Sequence, residues 1–163
     1  MCIRDSLYTS EAVLRALHEG RVDRGQFAIH NSVGGVVDES IEALARYKIR
    51  IIEQFSIKIS HALMIRPDAN LARVDTIMSH PQVFKQCKNT LAEKYGRLKL
   101  TSGSGDLVDA AKVAEELGAK RLPTNVATMG SARLAEIYGL KIVEDNLQDL
   151  QENYTSFLWM ERP

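Results

Sequence analysis

The chain has 163 residues, enough for one domain or two small lobes with a sizeable core. Its 21 Lys and Arg residues balance 21 Asp and Glu residues, and this argues against a nucleic-acid binder held by bulk charge. The apolar stretches are too short to span a bilayer, and the N-terminus lacks the apolar core of a signal peptide. We therefore expect a cytoplasmic protein without a membrane or nucleic-acid partner.

Helices and strands are predicted to alternate along the chain with short loops between them. In chain order they are a helix capped by Thr9 and ended by Gly20, a strand over 27–29, a helix over 38–47, strands over 49–54, 57–65 and 74–78, a helix over 81–96, a strand over 98–101, a helix from Leu107 to Gly118, a helix over 129–138, and strands over 140–143 and 155–160. This alternation is typical of an α/β domain with a mainly parallel sheet.

Polar clusters follow three of the predicted strands. Asn31-Ser32 follows the first strand, Ser79–Gln82 follows the strand over 74–78, and Ser102–Gly105 follows the strand over 98–101. Ligands of α/β folds bind at the carboxyl ends of strands, so together these clusters predict a pocket for a small polar or carboxylated ligand. Each cluster alone is also compatible with an ordinary cap or turn, which is the preferred interpretation of Ser102–Gly105.

The stretch SHPQVFKQC, Ser79–Cys87, has the pattern of a helix start. Ser79 or His80 would cap the helix, Pro81 suits its first turn, and two glutamines one turn apart share a face. Unpaired N–H groups and the positive end of the helix dipole can hold an anion there. The alternative is a capped surface helix with no ligand.

The two cysteines and the first residues predict little chemistry. Cys2 and Cys87 make no disulfide framework, and Cys87 is expected to be a reduced core residue. Neither a CxxC nor an HExxH pattern occurs, so no metal site is predicted. Residues 1–6 have no periodicity and join nothing that follows, and we interpret them as a non-native junction.

Several motifs, taken in order, resemble those of the prephenate dehydratases. The most specific of them is SHPQ with the following Gln86-Cys87. The other stretches that carry the resemblance are Phe27–Ser32 with Val36, Ile59–Leu63, Ile137–Leu140, Asn146–Asp149, Asn153 and Thr155–Phe157. The match runs from about Leu7 to Met160, nearly the whole chain.

The resemblance implies an α/β fold of a definite kind. It is a two-lobed, periplasmic-binding-protein-like domain with mainly parallel sheets and a cleft between the lobes. The single catalytic domain would cover 7–163, with lobe one at about 7–55 plus 146–163 and lobe two at about 56–145. No amino-acid-binding ACT domain is expected within the chain, and a homo-oligomer is compatible with the family.

The resemblance also implies a function, the conversion of prephenate to phenylpyruvate in L-phenylalanine biosynthesis. Water and carbon dioxide are lost, the substrate is a dicarboxylate, and neither a cofactor nor a metal is needed. By its match to the family motif, Thr155 would be catalytic. The residues expected to bind the substrate are His30, Asn31, Ser32, Ser79, Gln86 and Phe157.

The chain departs from the family motifs at three places. His30-Asn31-Ser32 replaces Glu-Asn-Ser, Thr155-Ser156-Phe157 replaces Thr-Arg-Phe, and Asp106–Asp109 replaces a Ser-Thr-Ala-Glu type stretch. Serine cannot replace the bidentate guanidinium of arginine. His30 could act as an acid, supply the charge missing at Ser156, or be a tolerated neutral residue.

These departures leave two alternatives open. One is a non-catalytic ligand-binding module on the same two-lobed fold. The other is a dehydratase for a related cyclohexadienyl acid such as arogenate.

Overall fold

The computed structural model describes Leu7 and residues 9–163 of the chain. The predicted non-native junction over residues 1–6, including Cys2, lies outside the described residues. The chain divides into two compact units. The first unit consists of the described residues up to Ile59 together with Glu152–Pro163, and the second is Ser60–Gln151. The C-terminal strand therefore belongs to the same unit as the first helix.

Helices and strands alternate along the described residues, which confirms the predicted α/β fold. In chain order they are α1 Ser10–His18, β1 Arg24–Asn31, β2 Gly35–Val36, α2 Asp38–Leu44, β3 Arg50–Lys58, β4 Ala62–Ile65, β5 Thr76–Met78, α3 Pro81–Gln86, α4 Lys88–Tyr95, β6 Lys99–Thr101, α5 Ala110–Gly118, β7 Val126–Gly130, α6 Arg133–Tyr138, β8 Lys141–Glu144 and β9 Tyr154–Glu161. None of the described helices has the length and apolar character that a membrane crossing requires.

The sheet of the first unit is antiparallel throughout, with the strand order β2-β1-β9-β3. The sequence predicted mainly parallel sheets, and for this sheet the prediction is wrong. Strands β1 and β3 run in the same direction with α2 between them in the chain, as in a βαβ unit. Because β9 lies between them and is antiparallel to both, no parallel pair forms among the described strands of this sheet.

The two faces of β9 carry different kinds of side chain. Leu158 and Met160 are buried in the hydrophobic cluster that also contains Leu14 of α1. Side chains alternate along a strand, so Thr155 and Phe157 belong to the opposite face. Strand β9 thus supplies the core with one face and leaves the other for contacts outside it.

The sheet of the second unit is mixed, with the strand order β6-β5-β7-β4-β8. Strand β5 is parallel to β6 and β7, whereas β4 is antiparallel to β7 and β8. The sequence predicted a helix over 129–138, and its first part is wrong because β7 occupies Val126–Gly130. Both faces of β7 are buried, so its residues show no apolar–polar alternation that would predict a strand.

The predicted helix over 81–96 is broken at Cys87 into α3 and α4. In a continuous helix the Gln86 carbonyl would accept a hydrogen bond from the N–H of Thr90. Instead this carbonyl accepts from the N–H of Asp149 at 2.8 Å. The N–H groups of Asn89 and Thr90 donate to the two oxygens of the Asp149 carboxylate, each at 2.9 Å. Asp149 therefore caps α4 from a distant segment of the chain.

Replacing Asp149 with alanine should lower the free energy of unfolding by about 1–2 kcal/mol, the usual cost of losing a helix cap. Burial would raise the pKa of Asp149, but hydrogen bonds from Asn89 and Thr90 outweigh it and lower that pKa. The carboxylate therefore makes its full contribution to the free energy of unfolding above its ordinary pKa of about 4. This contribution is lost as the pH falls through the lowered pKa of the folded state. Denaturant unfolding at neutral and acidic pH measures both effects.

The control for this prediction is Asp149→Asn, which keeps one capping oxygen. It should lose less stability than Asp149→Ala at neutral pH. Equal losses in the two variants would contradict the capping role of the side chain.

Thr128 carries an unpaired hydroxyl in the second sheet. Its Oγ1 is buried and has no hydrogen-bond partner among the described residues. Leaving a buried polar group unpaired costs roughly 1–3 kcal/mol. Thr128→Val should therefore raise the free energy of unfolding by about 1 kcal/mol, seen as a higher denaturant midpoint at unchanged m-value. A lower midpoint would mean that the hydroxyl has a partner in solution.

Candidate active site

The side chain of Asn31 is held at both ends of its amide. Its Oδ1 accepts hydrogen bonds from the backbone N–H groups of Val33 and Gly34, both at 2.9 Å. Two N–H donors require an oxygen between them, so these contacts fix the orientation of the amide. The Nδ2 group then donates to the side-chain oxygens of Asn153 and Thr155, each at 2.9 Å. Asn31 thus links the turn after β1 to the beginning of β9.

Thr155 receives the hydrogen bond from Asn31 on its hydroxyl oxygen. The two residues lie directly opposite each other in the β1–β9 register. Within the part of the chain that the structure describes, the hydroxyl proton of Thr155 has no acceptor. A hydroxyl that accepts one hydrogen bond becomes a stronger donor of another. The arrangement therefore makes Thr155 a hydrogen-bond donor toward any group that approaches it.

Ser32 and Asn153 support this pair. The Ser32 hydroxyl accepts from the N–H of Tyr154 at 2.8 Å and donates to the carbonyl of Glu152 at 3.2 Å. The sequence predicted Ser32 as a substrate-binding residue, whereas here its hydroxyl is bonded to backbone on both sides. Asn153 is only 1% exposed and was not predicted as a site residue. Both side chains hold the start of β9 against the end of β1.

His30 and Ser156 lie on the other face of the sheet. They are register partners on β1 and β9, one position away from the Asn31–Thr155 pair. Because side chains alternate along a strand, they point away from that pair. The hydroxyl of Ser156 is 2.9 Å from the hydroxyl of Ser56 on β3. The structure therefore does not bring His30 to the hydroxyl of Thr155, although the sequence predicted both for one site.

Phe157 shares the face of Thr155. Its ring stacks on Phe55 of β3, with ring centroids 5.6 Å apart and an angle of 14° between the planes. Both rings are partly exposed. They form an aromatic surface next to the Thr155 hydroxyl, which suits a ligand that contains a six-membered ring.

In the second unit, Ser79 is fully buried and its hydroxyl donates to the carbonyl of Met129 at 2.6 Å. Its N–H donates to the carbonyl of Thr101 at 3.1 Å. Ser79 thereby ties together the ends of β5, β6 and β7. The sequence predicted a ligand contact for Ser79, but the structure gives its hydroxyl a backbone partner. The helix cap is His80, whose Nδ1 accepts from the N–H of Gln82 at 3.1 Å.

Gln86 ends α3, and its side-chain oxygen lies 2.6 Å from Nε2 of His61. Burial lowers the pKa of His61, and the hydrogen bond to Gln86 raises it by less. The imidazole is therefore neutral near neutral pH. The structure thereby makes His61 the partner of a predicted substrate-binding residue.

The predicted site residues thus fall into two groups. The first unit brings Asn31 and Thr155 together with Asn153, and the second brings Gln86 together with His61. The sequence could have indicated Asn153 as a site residue. Residues two apart in an extended chain share a face, and Asn153 precedes Thr155 by two. His61 had no comparable signal, since its partner Gln86 is distant in sequence.

A comparison with family models decides the family. The model described as prephenate dehydratase matches residues 5–163. The chain belongs to the prephenate dehydratase family. This confirms the resemblance carried by the motifs around Asn31, Ser79 and Thr155.

Curated relatives in this family include plant and bacterial dehydratases. Arogenate dehydratase 3, chloroplastic, of Arabidopsis thaliana is 32% identical over 152 residues, which cover 93% of this chain and 35% of that protein. The bifunctional chorismate mutase/prephenate dehydratase of Buchnera aphidicola is 29% identical over 162 residues, which cover 99% of this chain and 40% of that protein. The chain therefore spans well under half the length of either relative.

A solved prephenate dehydratase has the same fold. The enzyme from Arthrobacter aurescens, determined in complex with L-Phe, matches with a TM-score of 0.78 at 25% identity. The match covers 92% of this chain and 48% of that protein. The mixed α/β fold with two sheets is therefore that of a prephenate dehydratase.

Proposed function

We propose that this domain is a carbon–oxygen lyase that converts prephenate to phenylpyruvate, a step of L-phenylalanine biosynthesis. Membership of the prephenate dehydratase family supports the proposal. The Buchnera and Arthrobacter relatives carry the same activity in their names. The reaction proposed here needs no cofactor.

The reaction requires little chemistry from the protein itself. The bond between the ring of prephenate and its carboxylate breaks, and its electron pair enters the ring as carbon dioxide leaves. The opposite ring carbon expels its hydroxyl group, which takes up a proton and departs as water. Because the product ring is aromatic, the substrate supplies much of the driving force. The protein has to position the substrate and stabilise the departing hydroxyl.

The observation that carries the proposal is the hydrogen bond from Asn31 Nδ2 to Thr155 Oγ1, at 2.9 Å. It occupies the oxygen of Thr155 and leaves the hydroxyl proton available to the substrate. Thr155 then donates a hydrogen bond to the departing hydroxyl. Because a threonine hydroxyl is a very weak acid, full proton transfer comes late in the barrier or through a water molecule.

The other predicted residues take different parts in this proposal. In the first unit, Phe157 offers its ring to the substrate ring beside Thr155. In the second unit, Gln86 offers its carboxamide to a carboxylate. Ser32 and Ser79 do not contact the substrate in this proposal. Their hydroxyls form hydrogen bonds to backbone groups and so position the segments that carry the site. His30, on the far face of its sheet, makes no contact with the departing hydroxyl.

Arogenate is a second candidate substrate. The Arabidopsis relative is named an arogenate dehydratase, and this favours including it. Arogenate carries an amino group where prephenate carries a keto group, while the ring that reacts is the same. In both substrates Thr155 would therefore donate to the same departing hydroxyl. The two substrates differ only in the amino or keto group of the side chain that the ring carries.

The test is product formation by the purified 163-residue chain. Phenylpyruvate is measured with prephenate as substrate, and phenylalanine with arogenate, each corrected for the acid-catalysed reaction without protein. We expect turnover that depends on Thr155. Binding of both substrates without turnover would overturn the proposal and identify a ligand-binding module instead.

A further inference from the structure

One short segment of the second unit holds both His61 and Gln86. The N–H of Leu147 donates to the carbonyl of His61 at 2.9 Å, and the N–H of His61 donates to Gln148 Oε1 at 3.0 Å. The N–H of Asp149 donates to the carbonyl of Gln86 at 2.8 Å. We call residues 147–149 the clamp. The clamp fixes the backbones of His61 and Gln86 relative to each other and so keeps their side chains within reach of one another.

The proton of the neutral His61 ring can be assigned from its surroundings. Nδ1 is buried and has no hydrogen-bond partner among the described residues, whereas Nε2 contacts Gln86 at 2.6 Å. A proton on Nδ1 would be a buried donor without an acceptor, and such unpaired donors are rarer in proteins than unpaired acceptors. The proton therefore belongs on Nε2, where it has an acceptor.

This assignment fixes the amide of Gln86. If His61 donates from Nε2, the atom of Gln86 that it meets is the oxygen, and the NH2 group must point the other way. Across the described ranges that NH2 group has no acceptor. Two free N–H donors on a fixed amide suit a carboxylate or another anionic group.

We infer that His61 is a positioning residue, which turns the NH2 group of Gln86 toward a carboxylate of the substrate. The identity of that substrate rests on the proposed function, and the pairing rests on the geometry of the second unit alone. His61 itself does not touch the substrate. It acts by excluding the orientation of Gln86 in which an oxygen would face the carboxylate and repel it.

The first test is a double-mutant cycle on kcat/KM. His61→Phe keeps a ring of similar size and the backbone contacts with the clamp, but it removes the donor to Gln86. It should lower kcat/KM roughly fivefold, mainly through KM, about the value of one neutral hydrogen bond. In the Gln86→Met background, His61→Phe should have no further effect, because the group that it positions is gone.

The matched control is the pair His61→Phe with Gln82→Ala, a glutamine one turn earlier on α3. These two changes should be additive in kcat/KM. A full additional loss from His61→Phe in the Gln86→Met background would show a purely structural effect and overturn the inference.

The second test needs no activity. The ¹⁵N shifts of His61, identified by the signal missing from His61→Phe, report which ring nitrogen carries the proton. We expect a neutral ring protonated at Nε2. A proton on Nδ1 would overturn the inference even if the enzyme is active. Failure of turnover with both substrates would overturn the proposed function, while the ¹⁵N result would still decide the pairing.

Discussion

Replacing Thr155 with valine should lower kcat by about 10²–10³-fold and leave KM nearly unchanged. Valine keeps the branched shape of threonine and its preference for a strand, so β9 should retain its register with β1. The change removes the hydroxyl that accepts from Asn31 and that, in the proposed reaction, donates to the departing group. A hydrogen bond that strengthens as the hydroxyl leaves stabilises the transition state more than bound substrate, so its loss falls on kcat.

The control for Thr155→Val is Thr155→Ser, which keeps the hydroxyl and its bond from Asn31. We expect it to retain most of the activity in the same assay, with kcat and KM measured separately. If valine raises KM as strongly as it lowers kcat, Thr155 binds the substrate and does not assist departure of the hydroxyl.

Replacing Asn31 with aspartate should lower kcat by about 10²-fold without unfolding the protein. One carboxylate oxygen would still accept from the N–H groups of Val33 and Gly34, as Oδ1 does now. The other would stand where Nδ2 now donates to Thr155. The hydroxyl of Thr155 would then donate to this oxygen, and its proton would no longer be available to the substrate.

The control for Asn31→Asp is Asn70→Asp, the same change at an exposed capping asparagine of the second unit. The Asn70 side chain accepts only from the N–H of Ala72 among the described residues, and an aspartate can do the same. We expect full turnover and an unchanged thermal midpoint from this variant. Asn31→Asp should still fold but with a lower midpoint, because its carboxylate cannot donate to Asn153 Oδ1 as Nδ2 does now. An active Asn31→Asp protein would mean that the direction of the Asn31–Thr155 hydrogen bond is unimportant.

The sequence predicted local structure well wherever a local signal exists. The cap at Thr9 is present, with its hydroxyl accepting from Ala12, and so is the cap at His80. Two of its errors concern contacts between distant segments. The break at Cys87 depends on Asp149, and the antiparallel first sheet depends on β9 inserting between β1 and β3. Neither could be read from residues nearby in sequence.

For the site residues, too, the sequence indicated local features but not contacts between distant segments. Motif matches selected Asn31, Thr155 and Gln86, which have polar partners suited to a ligand site. They could not show that the hydroxyl of Ser79 is bonded to the carbonyl of Met129, because that contact crosses the sheet. Residue type and order in the chain indicate which side chains are polar and close to strand ends, but not which of them still have a free donor.

Two of the departures from the family motifs lie opposite each other in the register of β1 and β9. The family's Glu and Arg correspond to His30 and Ser156, and these two positions face each other across neighbouring strands. Opposite charges at such positions stabilise each other, so either change alone would leave a charge without its counterpart. The two departures therefore fall on one cross-strand pair of the sheet, where they replace a single contact between β1 and β9.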